Sequence, residues 1–582
     1  MQPLSENSLK ILQRRYLQRD LKGQIIETPD QLFRRVAGAV AAAELIWGND
    51  RDSKFWEAQF YAIMSNLVFL PNSPTLMNAG TPRNQLSACF VLPVDDNMDS
   101  IFSTLKNAAL IQQSGGGTGF NFSHLRPKDD MVSASGGTAS GPVSFMKIFD
   151  TATEHVKQGG KRRGANMGIL NINHPDIETF IAAKREKGVL RNFNISVGVT
   201  DAFMHAQEKN KEWSLIHPNH KTVVRKINAQ KLWQDIVESA LQTGDPGLVL
   251  LDTINNRNPT PELGDIESTN PCGEVPLLPY ESCNLGSINL SKMIKAEVDR
   301  NEIDWEQLEE TITVATRFLD NVIEVNNFII EEIKTTTLGN RKIGLGVMGW
   351  AELLIQLEIP YDSDEAVSLA ENLMGFIREK SFRTSVILAQ SRGSFPNWSK
   401  SIYYPDMPIR NATRTSIAPT GTISIIADTS SSIEPLFALA FQRQHVLNEE
   451  SLFSINSLFI HYLKSHDLYD DKMMEQVIET GTIQNIPQIP EKTKRIFKTA
   501  LEISPDWHLR HQLAFQEFTD NAVSKTVNLP ENATVQDVGE IYKTAWKEKA
   551  KGITIFRYHS TEKQVLHQGI SSGSIACKVC KE

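Results

Sequence analysis

Cysteine is scarce in this chain, with five residues among 582. That is too few for a disulfide framework, and an odd number leaves at least one thiol over, which excludes the stapled scaffold of a small secreted protein. Long apolar runs are also missing. None approaches the roughly 18–20 residues that a membrane span takes, and the nearest, Gly38 to Trp47, contains Glu44. The opening stretch, Met1 to Asp20, is polar and bears arginines, without the apolar centre of a secretory signal. No membrane association is expected, and a reducing cytoplasm is the expected setting. There a few cysteines bind metal, catalyse or sit buried. Excess positive charge is lacking too: Lys+Arg number 60 against Asp+Glu 69, a formal net charge of -9. This argues against a general binder of nucleic-acid polymers. It leaves room for small anions held by a few local cations.

What is present is ordinary for a folded protein, 40% hydrophobic and 22% charged residues, so a fibrous or wholly disordered chain is excluded. The length suits about three to five domains, or one large enzyme core with appendages. Leu9, Leu12 and Tyr16 recur at helical spacing with Ser5 available as a cap, and a second helical stretch runs from Gln31 to Trp47. Phe193, Ile195, Val197 and Val199 alternate as in a strand. Gly247 to Leu251 predicts a buried strand delivering Asp252 at its end, and helical patterns at Leu232 to Leu241 and Ala366 to Phe382 intervene. Strands alternating with helices imply a largely parallel α/β architecture. No repeat of 20–50 residues stands out. From His567 onward Gly569, Ser571, Ser572, Gly573 and Ser574 form a flexible linker, ending in Cys577-Lys578-Val579-Cys580.

Several glycine-rich motifs invite chemistry. Gly344-Leu345-Gly346-Val347-Met348-Gly349 matches a dinucleotide fingerprint as a pattern, which would make the chain a nicotinamide dehydrogenase. The polar Thr335 to Lys342 before it and the turn position of Asp362 and Asp364 favour a closely packed helix start instead. Ser114 to Gly119 lets backbone approach a ligand closely, or is merely a turn. Lys157 to Gly164 carries four cations on a glycine-hinged loop, a phosphate clamp or a solvated loop. Pro419-Thr420-Gly421-Thr422-Ile423-Ser424 suits an anion site at a helix start, or plain turn chemistry.

The cysteines are more informative. Cys272 lies in Asn270-Pro271-Cys272-Gly273-Glu274, a loop with a carboxylate two residues away, whereas packing cysteines sit inside periodic apolar segments. A Cys-His hydrolase is conceivable, but the local sequence suggests no paired histidine. Cys577 and Cys580 would be half a zinc site, and without a second pair no structural metal site is expected. A redox dithiol on a swinging arm fits better.

Taken in order, Asn72-Ser73-Pro74-Thr75-Leu76-Met77-Asn78, Gln85-Leu86-Ser87-Ala88-Cys89, Asn270 to Glu274, Cys283-Asn284-Leu285-Gly286-Ser287 and Pro419 to Thr422 resemble a ribonucleotide reductase catalytic subunit. The likeness is greatest to the adenosylcobalamin-dependent class (class II) and spans about Leu4 to Tyr558. It implies a ten-stranded α/β barrel of two five-stranded halves, with a finger loop carrying Cys272 into its centre. The implied division is a helical N-terminal region over 1–70, the barrel over 71–560 and a redox tail over 561–582. By the same resemblance Cys272 carries a thiyl radical, Glu274 is the general base for the 3′ hydroxyl and Asn270 bonds the ribose hydroxyls. Cys89 and Cys283 reduce the substrate and become a disulfide, which Cys577 and Cys580 re-reduce before a thioredoxin- or glutaredoxin-like donor recharges them. Pro419, Thr420, Gly421, Thr422, Ile423 and Ser424 bind substrate phosphates, with Ser73 and Thr75 nearby. Asp99, Ser100, Ile101, Arg126, Lys157, Gln158 and Arg162 match regions where the family binds a specificity-setting deoxynucleotide or ATP effector. A homodimer is the expected assembly.

The radical source is the point on which the sequence departs from part of that family. Iron- or manganese-dependent relatives receive the radical from a partner subunit through a stacked tyrosine pair. The matching stretch here, Gly552-Ile553-Thr554-Ile555-Phe556-Arg557-Tyr558, has no adjacent tyrosines. Phenylalanine has no phenolic O–H to lose, so adenosylcobalamin is the expected cofactor and a metal-dependent large subunit the alternative. No Asp-x-His-x-x-Gly cobalamin pattern occurs, and the family's N-terminal ATP-binding regulatory module is expected to be missing, since about seventy residues precede the first motif. A catalytically inert nucleotide-binding regulator is argued against by the retention of all five cysteines and Glu274.

Overall fold

Period-two apolar runs become strands and the amphipathic segments between them become helices, and this alternation winds around a central barrel. The computed structural model describes residues 2–132, 137–156, 164–186, 188–296, 301–447, 450–558 and 566–570. Lys157, Gln158, Arg162, Cys577 and Cys580 lie outside the described residues.

Five strands form the first half: β1 (Cys89–Pro93), β2 (Gly117–Asn121), β3 (Asn166–Asn171), β4 (Phe193–Val199) and β5 (Gly247–Leu250). Each runs parallel to the next. In the second half β6 (Glu281–Asn289) lies parallel to β7 (Ile343–Met348). An extended segment at 413–417 follows, bonded to β7 through Leu345 N–H to Arg414 O at 2.7 Å and to the next segment through Ile417 N–H to Ala522 O at 3.1 Å. That next segment leads into β8 (Thr526–Leu529), parallel to β9 (Gly552–Arg557). The halves meet antiparallel at both seams, β1 against β6 and β5 against β9. The sheet therefore closes on itself, with no free edge among these strands. This is the expected barrel of two five-stranded halves.

Helices cover the outside. Ser5 caps Glu6–Ile11 by accepting from Ser8 N–H, and Thr28 with Gln31 forms a reciprocal capping box at Pro29–Ala41. The buried stripe Leu32, Phe33, Val36, Ala37 and Val40 recurs at three- and four-residue spacing, so this helix and Asp50–Ser65 pack on Trp305–Val325 beside the barrel. A buried ion network fastens the same contact. Glu44 accepts from Arg317 and Arg392, and Asp320 from Arg341 and Arg392. Burial alone would raise the Asp320 carboxyl, but Arg341, Arg410 and Arg392 hold it well below the usual carboxylate range. Among the described residues no helix is long and apolar enough to cross a membrane.

One local expectation needs correcting. The glycines at Gly344 and Gly346 belong to strand β7, not to a helix start; the helix begins at Trp350. A Cβ at Gly346 would stand 2.2 Å from the Ser416 carbonyl oxygen, so glycine here allows close approach of the 413–417 segment, not of a dinucleotide. The buried strand expected at Gly247 to Leu251 is β5, and Asp252 follows its end in the helix Leu251–Asn256, where it accepts the Asp201 N–H at 2.6 Å and organises a neighbouring helix start.

Candidate active site

A two-strand hairpin, Ser268–Thr269 against Pro276–Leu277, rises inside the barrel and holds Asn270 to Val275 at its tip. Asn270 organises the tip. Its Oδ1 accepts the Val275 N–H at 3.0 Å, and its carbonyl accepts the Gly273 N–H at 3.1 Å. Gly273 takes φ +81, which a glycine adopts without strain. The hairpin is clamped to both halves of the barrel. Asn194 donates to Pro271 O at 2.8 Å, while Ala522 N–H and the Ser416 hydroxyl both donate to Glu274 O at 2.9 Å. The glycine run at Gly117 to Gly119 is explained by this hairpin: a Cβ at Gly119 would lie 1.7 Å from Thr269 O. Neither reading open at the sequence level is met as stated: these glycines do permit close approach, but of the protein's own hairpin and not of a ligand.

Cys272 is the exposed residue of the tip, and it borders two cavities. The smaller, about 170 Å³, is lined by Cys89, Asn270, Cys272 and Glu274 together with Ser73 and residues Pro419 to Ile423. Cys89 and Cys283 face each other directly in the antiparallel register of β1 and β6. Opposed residues of such a pair have Cα atoms about 4.5–5.5 Å apart, within the roughly 4.4–6.8 Å a disulfide requires. Cys89 borders the cavity and Cys283 lies behind it; both are buried and neither is bonded in a disulfide. Burial, reinforced by Glu274 for Cys89 and by Glu281 for Cys283, pushes both thiols well above their ordinary range. They are held as S–H groups, the form that can give hydrogen to a substrate.

Glu274 is buried, and burial lifts its carboxyl to about 7 against the hydrogen bond from the Asn270 side chain. Its Oε2 has no partner among the described residues. A buried, unpartnered carboxyl oxygen facing a cavity is poised to accept from a ligand. The Asn270 amide lies within hydrogen-bonding reach of both Cys89 and Glu274, tying acid and thiol into one cluster.

The other expected residues divide. Thr420, at φ +54, borders the small cavity; its Oγ1 accepts the Ser432 N–H at 2.7 Å and fixes the turn before the one-turn helix Ile423–Ile426. Gly421 has open space about its Cα, so the loop presents bare backbone to the small cavity. Ser424 borders the larger cavity instead. Ser73 bonds the Tyr16 hydroxyl at 2.8 Å at the cavity edge, whereas Thr75 is buried off the cavity with its hydroxyl on Leu86 O at 3.0 Å. Asp99, Ser100 and Ile101 begin the helix Met98–Ser114, and Arg126 is paired to Asp96 at 2.8 Å. None of these four borders either cavity, and the Ile101 side chain is buried in the core.

The larger cavity, about 770 Å³, reaches Cys272 beside strands β4, β5 and β9. Its apolar wall includes Leu436, Phe437, Phe441 and Phe556, while the alternate strand residues Ile553 and Ile555 point outward into the core beneath the covering helices. Its charged groups, Asp245, Glu352, Asp428, Glu434, Arg443, Lys525 and Lys551, were not anticipated from the sequence. They are single residues in unrelated segments, and no local spacing signals them.

A thiol at the centre of a closed barrel, with a buried dithiol across a sugar-sized cavity, defines a thiol-based oxidoreductase. The chain belongs to the ribonucleotide reductase large-subunit family: it matches "Ribonucleotide reductase, barrel domain" over residues 87–408 and 405–556 and "Ribonucleotide reductase, all-alpha domain" over residues 2–84. It is 49% identical to the vitamin B12-dependent ribonucleoside-diphosphate reductase of Thermoplasma acidophilum, over 97% of this chain and 80% of that protein. It is 50% identical to the protein of the same description from Mycobacterium tuberculosis, again over 97% of this chain and 80% of the relative. Among solved structures the Actinobacillus ureae class Id ribonucleotide reductase alpha subunit superposes with a TM-score of 0.78 at 24% identity, covering 96% of this chain and 97% of that one. This last likeness establishes the barrel fold.

Proposed function

We propose that this protein reduces ribonucleoside diphosphates to 2′-deoxyribonucleotides through a thiyl radical at Cys272, with adenosylcobalamin as radical source. The observation that carries the reading is the position of Cys272 between two cavities, one holding the dithiol and Glu274, the other large and apolar-walled. The residues fit the cofactor. Leu436, Phe437, Phe441 and Phe556 offer apolar surface for a corrin face, and Phe556 belongs to the Gly552 to Tyr558 stretch, which has no adjacent tyrosine pair. When bound, adenosylcobalamin supplies the one-electron oxidising equivalent for the Cys272 thiol.

The chain's own residues then do the following. The Cys272 sulfur takes hydrogen from ribose C3′, forming S–H and breaking C–H. Glu274 accepts the 3′-hydroxyl proton, and Asn270 holds the ribose hydroxyls. Cys89 and Cys283 together lose two electrons and two protons as their S–S bond forms; the substrate loses its 2′ oxygen as water, gains hydrogen in its place, and the C3′ hydrogen returns from Cys272. The backbone of Pro419 to Ile423, with Ser73 at the edge, holds the diphosphate; N–H groups at a helix start suit an anion.

Product is expected on anaerobic incubation with a ribonucleoside diphosphate, adenosylcobalamin and dithiothreitol, without a second protein. Product that appears only after adding an iron- or manganese-bearing subunit would sink the cobalamin reading. The same assay run with and without deoxynucleotides or ATP tests Asp99, Ser100, Ile101, Arg126, Lys157, Gln158 and Arg162 as the effector site, and sedimentation of those samples reads the proposed homodimer.

We also assign residues 1–70 to a helical region, 71–560 to the catalytic barrel and 561–582 to a redox tail working in a reducing cytoplasm; the linker expected from His567 is strand-paired at its start, since Leu566–Gln568 pairs with Ala440–Leu447 and Ile570 is buried. The buried Cys89–Cys283 pair is out of reach of a thioredoxin- or glutaredoxin-like protein, so a relay is required. A Cys577→Ser, Cys580→Ser double variant is expected to keep its rate with dithiothreitol and lose nearly all of it with thioredoxin; full activity with thioredoxin would remove the relay.

A further inference from the structure

Among the described residues the larger cavity has one charged cation without a carboxylate partner. Arg443 borders it, and its Nε is buried with no hydrogen-bond partner. The guanidinium meets the Phe441 ring at 5.1 Å, and no carboxylate pairs with it among the described residues. Burial lowers it to about 10, so it stays charged at neutral pH. The other charged groups of the cavity are accounted for. Asp245 pairs with Lys184 and Lys525 with Glu434. Glu352 accepts from the Thr429 hydroxyl, and burial raises it to about 7 and raises Asp428 as well, so neither stands as a strong anion for Arg443. Lys551 is lowered by burial to about 7 and donates to the carbonyls of Asp520 and Asn521. The Ser430 hydroxyl borders the same cavity and is likewise buried without a partner. A desolvated guanidinium left unpaired is costly, and it persists where a ligand completes it.

We propose that Arg443 is the anion-binding residue of this cavity and takes the phosphodiester of the cobalamin nucleotide arm. The inference rests on the cobalamin reading above. A cobalamin carries neutral amide arms and a single phosphodiester, so one cation without a counter-charge matches its charge. A substrate diphosphate is the other source of the same chemistry, but the Pro419 to Ile423 backbone borders the smaller cavity and Arg443 does not. Arg443 also sits on Ala440–Leu447, which pairs with Glu450–Ile455 and Leu566–Gln568 in a separate three-stranded sheet. That sheet is not part of the barrel that holds Cys272, so the arm is bound apart from the reacting centre.

The test compares cobalamin with cobinamide, which keeps the corrin and lacks the nucleotide arm and its phosphate, by absorbance titration of the full-length protein. The unmodified protein is expected to bind cobalamin about tenfold to a hundredfold more tightly than cobinamide, as a charge-assisted bond implies. Arg443→Gln should erase that gap by weakening cobalamin alone, and Arg443→Lys should restore part of it. Equal weakening of both corrinoids, or no change in either, overturns the assignment. Weaker nucleoside diphosphate binding with cobalamin affinity unchanged assigns Arg443 to the substrate and overturns it too. If the unmodified protein binds neither corrinoid, the cobalamin reading itself falls and this inference with it. Matched melting temperatures confirm that the variants are folded.

Discussion

Replacing Cys272 by serine is expected to lower turnover by about 10⁴-fold or more, which corresponds to about 5 kcal/mol or more of lost catalysis. Binding of nucleoside diphosphate and of cobalamin should stay within about twofold. The asymmetry follows from what the side chain does. Cys272 is exposed at the hairpin tip, and the bonds that shape the tip run through the backbone and through Asn270, so a hydroxyl in place of a thiol leaves the loop intact. The serine O–H bond is much stronger than a thiol S–H bond, so the oxidising equivalent that removes hydrogen from sulfur does not remove it from oxygen. Rate measurements paired with titrations of both ligands check this. A variant that retains even a few per cent of the rate would show that the radical is carried elsewhere, and the two-cavity reading of Cys272 would have to be abandoned.

The sequence carried the barrel's reactive centre more completely than its cofactor side. Cys89, Asn270, Cys272, Glu274 and Cys283 sit in short motifs whose neighbours are themselves functional: Asn270 shapes the tip, Gly273 turns it, and Cys89 and Cys283 occupy opposed strand positions. Their motifs are short and fall in a recognisable order, so the family resemblance reaches them even though the fold alone brings Cys89 and Cys283 together. Glycines mislead for the opposite reason. Gly346 admits the Ser416 backbone and Gly119 admits Thr269, partners far away in sequence, and a pattern of spacing along one segment cannot name the segment that packs against it. Thr75 shows the same limit at a single residue, since only the fold reveals that its hydroxyl is held by Leu86 O. The larger cavity was invisible because Glu352, Arg443, Lys525 and Lys551 come from four unrelated elements and acquire meaning only through shared burial.

Glu274→Gln is expected to reduce the rate by about 10²–10⁴-fold, the range a positioned general base contributes. It should also remove a limb of the pH profile. Burial holds the Glu274 carboxyl at about 7 in the folded protein, above its ordinary value. A base works as the carboxylate, so the active fraction rises as pH passes upward through about 7 and falls below it. The profile of kcat/KM for the unmodified protein should therefore climb toward a plateau above that value, with a tenfold loss for each pH unit well below it. In Glu274→Gln this acid limb should be absent and the residual rate flat across the same range. The amide matches the carboxyl in shape, so the packing around the hairpin is kept. The main-chain bonds from Ala522 and Ser416 to the Glu274 carbonyl are untouched by the change. A variant that keeps the limb at about 7 would place the titrating group elsewhere. Within the large cavity Glu352 is raised to about the same value, so Glu352→Gln is the control: it should leave the limb in place, because Glu352 does not border the cavity that holds Cys89 and Glu274. Loss of the limb in Glu352→Gln instead would move the pH dependence of turnover from the base to the cofactor side of Cys272.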